Sequence, residues 1–143
     1  TCGAGALALG MMIVLITFAG FAALSPLALA LAVFCGEVFG KMGMGLFSAL
    51  GQPFHEGIQS YIYGMSHRRF AVYTVLLTIP LFLFPEKRLI AIGLCTALAV
   101  FLILWYTARR CFGGVNGDVT GAGNEITRAA VAVAFAVAAG MLN

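Results

Sequence analysis

The residues best suited to chemistry lie close together in one polar stretch, residues 109–125, between two long apolar runs. Two arginines open the stretch, and five glycines, two asparagines, Asp118 and Glu125 follow. Glycine lets the backbone approach a ligand closely, and successive N–H groups in such turns form concavities that bind anions. Carboxylate oxygens are hard donors that suit Mg²⁺. The stretch therefore predicts a phosphate or metal site, although a solvated turn between two membrane spans favours the same residue types.

Two smaller groups of ionisable residues interrupt the apolar sequence elsewhere. Glu37 and Lys41 are four residues apart, so they share one helix face and either line a substrate cavity or form an ion pair along that helix. His55 and Glu56 are adjacent in the longest polar interruption, residues 51–69. Such a pair is compatible with acid–base catalysis, with metal ligation or with a solvated loop.

The composition assigns the chain to a membrane. Of the 143 residues, 62% are hydrophobic and 9% are charged, and the mean hydropathy is +1.05. Soluble domains carry about 25% charged residues. The net charge of +3 is small and scattered, which argues against nucleic-acid binding. The four cysteines form no Cys-x-x-Cys pair, so we expect no disulfide and no zinc site.

The apolar runs predict an all-α fold, a polytopic transmembrane bundle that forms a single membrane domain with about five spans. The predicted spans cover residues 4–24, 27–50, 70–84, 89–108 and 126–142. Pro80 and Pro85 predict that the third span is kinked or ends early. Within residues 51–69, apolar side chains spaced three and four apart predict a short helix in the interface with lipid. The first residue is Thr1, with no basic segment before the first span, so the chain is expected to begin inside a longer protein.

Lysine and arginine counts predict the orientation of these spans. The segments 51–69 and 109–125 fall on one side of the membrane, and Lys87 and Arg88 fall on the other. The first side holds Arg68, Arg69, Arg109 and Arg110, with Arg128 nearby. The positive-inside rule places that side in the cytoplasm, for a multi-pass protein of the cell (inner) membrane. The two polar segments are therefore predicted to meet at the cytoplasmic face.

Several of these motifs resemble one known family. Residues 113–122 read Gly-Gly-Val-Asn-Gly-Asp-Val-Thr-Gly-Ala, and Glu125 follows. This pattern resembles the C-terminal signature of cobalamin-5′-phosphate synthase, also called adenosylcobinamide-GDP ribazoletransferase. Residues 36–38 with Lys41 are similar to the family's Ala-Glu-Val element, in which Arg is commoner than Lys. Residues 54–58 are similar to its Arg-x-Glu-Gly-Leu loop.

The resemblance implies a membrane-bound transferase of cobalamin biosynthesis that uses Mg²⁺. Such an enzyme joins adenosylcobinamide-GDP to α-ribazole or α-ribazole 5′-phosphate and releases GMP. A metal would neutralise phosphate charge, and a positioned base would orient the attacking hydroxyl. The family's acidic N-terminal motif has no counterpart in this chain. The resemblance therefore covers the C-terminal part of the family's length, and an N-terminal partner segment or a second copy would complete the site.

The resemblance also implies roles for individual residues. Asp118 and Glu56 would be catalytic, and Asp118 and Glu125 would bind the metal. The residues implied in binding substrate or phosphate are Arg109, Arg110, Gly113, Gly114, Asn116, Gly117, Glu37, Lys41 and His55.

Two other functions compete with this interpretation. Glycine-rich breaks and charges at membrane depth also mark secondary transporters, whose sites lie near the midplane between discontinuous helices. A non-catalytic anchor subunit would bind neither Mg²⁺ nor nucleotide at residues 109–125.

Overall fold

The computed structural model describes residues 3–54 and 58–142, and within them the chain is helical with short connections. The helices are α1 (Ala4–Ala22), α2 (Pro26–Leu50), α3 (Ile58–Met65), α4 (Arg69–Leu76), a 3₁₀ helix (Ile79–Leu83), α5 (Lys87–Phe112) and α6 (Gly117–Leu142). Four of the described helices, α1, α2, α5 and α6, are long and apolar enough to cross a membrane. The predicted all-α transmembrane bundle is therefore confirmed.

The predicted third span is a short apolar segment of two successive helices, in agreement with the break expected from its prolines. The apolar segment Arg69–Leu83 is shorter than the four long helices, and it changes from α4 to a 3₁₀ helix that contains Pro80. Proline lacks the N–H that an α-helix would use there. A 3₁₀ helix rises about 2.0 Å per residue against about 1.5 Å in an α-helix, so the change lengthens the reach of a short segment.

This segment connects the two ends of the bundle. Thr74 of α4 lies against Gly45 near the end of α2, whereas Phe84 contacts Phe34 in the first half of α2. The end at which α2 and α5 finish and α6 begins is called the loop end, and the opposite end is called the far end. Lys87 and Arg88 begin α5 at the far end.

Helix α6 is the centre of the bundle and packs against α1, α2 and α5. The largest buried side chains, Phe39, Phe47, Ile90 and Phe135, come from α2, α5 and α6 and form its core. By contrast, α1 has Gly20 as its only buried residue and exposes most of its large apolar side chains. An apolar helix of this kind suits contact with lipid or with another membrane helix.

Candidate functional site

A tight turn at the loop end connects α5 to α6. Gly113 has a φ of +79°, in the left-handed region that favours glycine, and its N–H donates to the carbonyl of Arg109. Asn116 then caps α6, because its Oδ1 accepts a hydrogen bond of 2.9 Å from the N–H of Val119. This cap begins α6 at Gly117, nine residues before the start of the predicted fifth span at residue 126.

The two predicted polar segments meet at this turn. The N–H of Val115 donates to the carbonyl of Gln52 over 2.8 Å, and Pro53 and Val115 form a parallel bridge. Gly114 is buried here, and a Cβ at this position would collide with the Gln52 carbonyl and lie 2.8 Å from Cβ of Phe54. The predicted meeting of these two segments is thus confirmed for residues 52–54 and 114–115.

Asp118 lies in the first turn of α6 and is exposed at the loop end. Its Oδ2 accepts a hydrogen bond of 3.3 Å from Nδ2 of Asn116. The positive end of the helix dipole favours a carboxylate at this position. No cation of the described chain forms a salt bridge with Asp118, so its carboxylate remains accessible to a ligand.

The two arginines that precede the turn are stacked on aromatic rings of α5. The guanidinium of Arg109 lies 4.8 Å from the centre of the Trp105 ring, and that of Arg110 lies 6.0 Å from the centre of the Tyr106 ring. Arg110 also donates to the Tyr106 hydroxyl over 2.7 Å. Together these four residues line an open cavity of about 450 Å³.

A second polar group lies between α2 and α6 and is partly exposed at the surface of the bundle. Arg128 bridges two carboxylates, with Nε 2.8 Å from Oε1 of Glu37 and Nη1 3.1 Å from Oε2 of Glu125. Asn124 donates to Oε1 of Glu125 over 2.9 Å and accepts from Nζ of Lys41 over 3.3 Å. We call these five residues the mid-span network, because they lie well inside two helices of spanning length.

The network argues against one of the two alternatives for Glu37 and Lys41, the ion pair along α2. In the described chain the two side chains do not pair along α2; each reaches across to α6 instead. Both also line a cavity of about 370 Å³ between α2 and α4, next to Thr74 and Thr78. Two members, Asn124 and Arg128, had no predicted role in a site. Their spacing of four residues, which puts them on one helix face, is the sequence signal that could have identified them.

The predicted metal ligands Asp118 and Glu125 lie on α6 but point to different partners. Seven residues of helix separate their backbones by about 10 Å. The Glu125 carboxylate is held by Arg128, further along the helix, and Asp118 is held by Asn116 at the turn. Within residues 3–54 and 58–142, no three His, Cys, Asp or Glu side chains are grouped so that they could hold a metal ion. The predicted pair His55 and Glu56 lies outside the described residues.

Comparison with known proteins identifies a family and several relatives. The sequence model of a family described as cobalamin-5-phosphate synthase matches residues 1–136. A protein of Methanococcoides burtonii is 32% identical over 83% of this chain and 44% of its own length, and one of Methanocella arvoryzae is 36% identical over 80% and 47%. A protein of Pyrococcus abyssi is 36% identical over 71% of this chain and 44% of its own. All three are named adenosylcobinamide-GDP ribazoletransferase.

This chain therefore spans less than half the length of these curated relatives, and it matches their C-terminal part. No solved structure matches it.

Proposed function

Because this chain belongs to the cobalamin-5-phosphate synthase family, we propose that it forms the C-terminal part of a membrane-bound adenosylcobinamide-GDP ribazoletransferase. The whole enzyme joins adenosylcobinamide-GDP to α-ribazole or α-ribazole 5′-phosphate. A ribose hydroxyl attacks the phosphorus that is attached to cobinamide. The bond from that phosphorus to the bridging oxygen of the diphosphate breaks, and GMP leaves.

The observation that carries this proposal is the loop-end turn with its accessible carboxylate. Asp118 sits where α6 begins, and the chain of residues 52–54 lies directly against the turn. Backbone N–H groups at a helix N-terminus favour bound phosphate. Gly113, Gly114, Asn116 and Gly117 shape this phosphate-binding turn in the proposal.

The arginines supply charge beside the turn. A guanidinium stacked on a ring keeps its N–H edge available for bidentate binding of phosphate. Arg109 and Arg110 are held in this way by Trp105 and Tyr106, and we assign them to the diphosphate of the substrate.

Magnesium is the proposed cofactor, and the described residues fit it as a partial site. Mg²⁺ in proteins is commonly bound through one or two carboxylates, with substrate phosphates and waters as the other ligands. Asp118 offers one accessible carboxylate, whereas Glu125 would first have to be released from Arg128. When bound, the ion neutralises charge on the phosphates and the leaving group. Glu56, with His55, is proposed to act on the attacking hydroxyl from the segment that follows Phe54.

The family match supports an enzyme rather than a transporter, although the cavity beside Glu37 and Lys41 borders the break that follows α4. Transporter sites at the midplane are typically formed where helices are broken. Glu37 and Lys41 lie within the continuous helix α2, and Asn124, Glu125 and Arg128 lie within the continuous helix α6. In the proposal, Glu37 and Lys41 border the substrate cavity from their side of α2.

The proposed orientation puts the loop end in the cytoplasm, with the bundle in the cell (inner) membrane. Arg109 and Arg110 end α5 there and Arg69 begins α4, whereas Lys87 and Arg88 lie at the far end. This distribution follows the positive-inside rule.

The test is a GMP-release assay on a full-length chimera, in which the N-terminal part of a curated relative precedes this chain. With adenosylcobinamide-GDP and α-ribazole 5′-phosphate we expect release of GMP that stops when EDTA removes Mg²⁺. Asp118→Asn should lower the rate about 10²–10³-fold, as expected for the loss of one group that stabilises charge in the transition state.

Glu86→Gln is the matched control for that variant, because Glu86 is an exposed carboxylate at the far end and should leave the rate unchanged. Absence of GMP from a chimera that purifies as a folded, monodisperse protein would refute the proposed reaction. Equal rates for Asp118→Asn and Glu86→Gln would refute the role of Asp118.

A further inference from the structure

An apolar groove separates α1 from α6 at the loop end of the bundle. The two helices run parallel and touch where Gly20 of α1 packs against Ala132 of α6; a Cβ at Gly20 would lie 2.9 Å from the Ala132 carbonyl carbon. Towards the loop end they diverge and enclose a groove of about 960 Å³. Its α6 wall is formed by Gly121, Ala122, Glu125 and Ile126, and its α1 wall by residues between Ala6 and Leu15.

The size and the lining of the groove suit a transmembrane helix. A helix with its side chains is about 10–12 Å across, so the volume corresponds to about two helical turns. Small residues such as Gly121 and Ala122 let helix backbones approach closely within a membrane. Gly20 is the only residue of α1 that is buried inside the described bundle, whereas α2 buries ten residues, so α1 presents a nearly complete surface for further contact.

Glu125 gives the groove a chemical preference. Its side chain is 54% exposed although it already accepts from Arg128 and Asn124, and it is part of an otherwise apolar wall. Lipid acyl chains have no hydrogen-bond donor, and a charged group facing them is unfavourable. An occupant with a donor or a cationic side chain opposite Glu125 therefore fits this groove better than lipid does.

The family relatives contain enough additional sequence to supply such a helix. More than half of each relative's length lies outside the part that this chain matches, and the matched part is C-terminal. Consecutive helices usually pack as neighbours, and α1, the first described helix, forms one wall of the groove. We propose that the groove seats a membrane helix from the N-terminal part of the family protein, with a polar or basic side chain facing Glu125. This proposal depends on family membership and not on the proposed reaction.

The experiment uses tagged full chain, co-expressed with the N-terminal part of a curated relative and purified in mild detergent. Gly121→Leu fills the groove, and a Cβ at Gly121 meets no atom within 4 Å, so the variant chain itself should fold normally. Gly140→Leu is the matched control, because Gly140 also lies on α6 with no atom within 4 Å of a Cβ. We expect at least tenfold less co-purified N-terminal part with Gly121→Leu and no change with Gly140→Leu. Glu125→Gln, which removes the charge at constant size, should reduce the yield several-fold.

Three results would overturn the proposal. The first is absence of co-purification with the unmodified chain, and the second is equal yields for Gly121→Leu and Gly140→Leu. The third is the conversion of a dimer of this chain to a monomer by Gly121→Leu, which would make a second copy the occupant. Co-purification that responds as expected in a sample that releases no GMP would refute the proposed reaction and leave the docking intact.

Discussion

Arg128 bridges two carboxylates at membrane depth, so its replacement by Gln should destabilise the bundle measurably. The guanidinium contacts Glu37 on α2 over 2.8 Å and Glu125 on its own helix over 3.1 Å. The Arg128→Gln variant shortens the side chain and removes its charge. Both carboxylates then lose their only cationic partner in the described chain.

The size of the expected destabilisation depends on how deeply Arg128 and the two carboxylates are buried. The three side chains are 36% to 54% exposed within the bundle, so they are neither fully buried nor fully open. An exposed ion pair contributes about 0–1 kcal/mol, whereas removing one partner of a buried pair costs about 3–5 kcal/mol. Because this site has intermediate burial, Arg128→Gln should lower the free energy of unfolding by about 2 kcal/mol. Charge removal at Glu37 alone should cost less, since Arg128 keeps its contact with Glu125.

A double-mutant cycle isolates the contact between α2 and α6. The free energy of unfolding is measured in detergent micelles for Glu37→Gln, for Arg128→Gln and for the double variant. We expect a coupling energy of about 1 kcal/mol, because the salt bridge is only half-buried. Arg110→Gln serves as the control. Arg110 is exposed and contacts Tyr106 on the same helix, so the loss should be at most about 0.5 kcal/mol. Additive effects at Glu37 and Arg128 would show that the bridge does not join the helices.

Two further predictions test packing and orientation. Gly40→Ala should lower the free energy of unfolding by about 1 kcal/mol, because the new Cβ would lie 2.7 Å from Oδ1 of Asn124. Gly36→Ala is the control: its Cβ would lie 3.7 Å from the nearest atom, so the free energy of unfolding should not change in the same denaturation assay. With the loop end in the cytoplasm, a variant that keeps Cys111 as its sole cysteine should resist a membrane-impermeant maleimide in intact cells and react in inverted vesicles, because Cys111 is exposed in the last turn of α5. A variant that keeps only the buried Cys35 should react in neither preparation, and labelling of Cys111 from outside the cell would reverse the proposed orientation.

The helices themselves could be predicted because their signal is local. Long apolar runs predict α1, α2 and α5 within a few residues, since length and apolar character do not depend on tertiary contacts. The start of α6 could not be predicted in the same way. Residues 117–125 contain three glycines, which are poor helix formers, and the helix begins there through the cap formed by Asn116.

The partners of the charged side chains depend on tertiary structure. The spacing of Glu37 and Lys41 is equally compatible with an ion pair on α2 and with contacts to another helix. Only the packing of α2 against α6 decides that Glu37 meets Arg128 and that Lys41 meets Asn124. From the sequence, Arg128 could therefore be used only as one of the basic residues that predict the orientation.

The mid-span network depends on the small residues that let α2 and α6 pack closely. The glycines of α2 bring the backbone of α6 close, so that a side chain as short as Asn124 reaches Lys41. The polar contacts then add hydrogen bonds between helices, which stabilise association where water is absent. Without the close approach these ionisable groups would face hydrocarbon, and each charge would cost about 2.5–3.5 kcal/mol at the centre of a bilayer.

The charges of the network agree with the proposed placement of the chemistry at the loop end. Glu37 and Glu125 are balanced by Lys41 and Arg128, so the packed pair of helices carries no net charge at membrane depth. Carboxylates that already hold a cation are poorly placed to recruit Mg²⁺. At the loop end, Asp118 is the exposed carboxylate of the described residues, and it has no cationic partner among them. The network therefore balances the charges inside α2 and α6, and the proposed function assigns the chemistry to Asp118 in the first turn of α6.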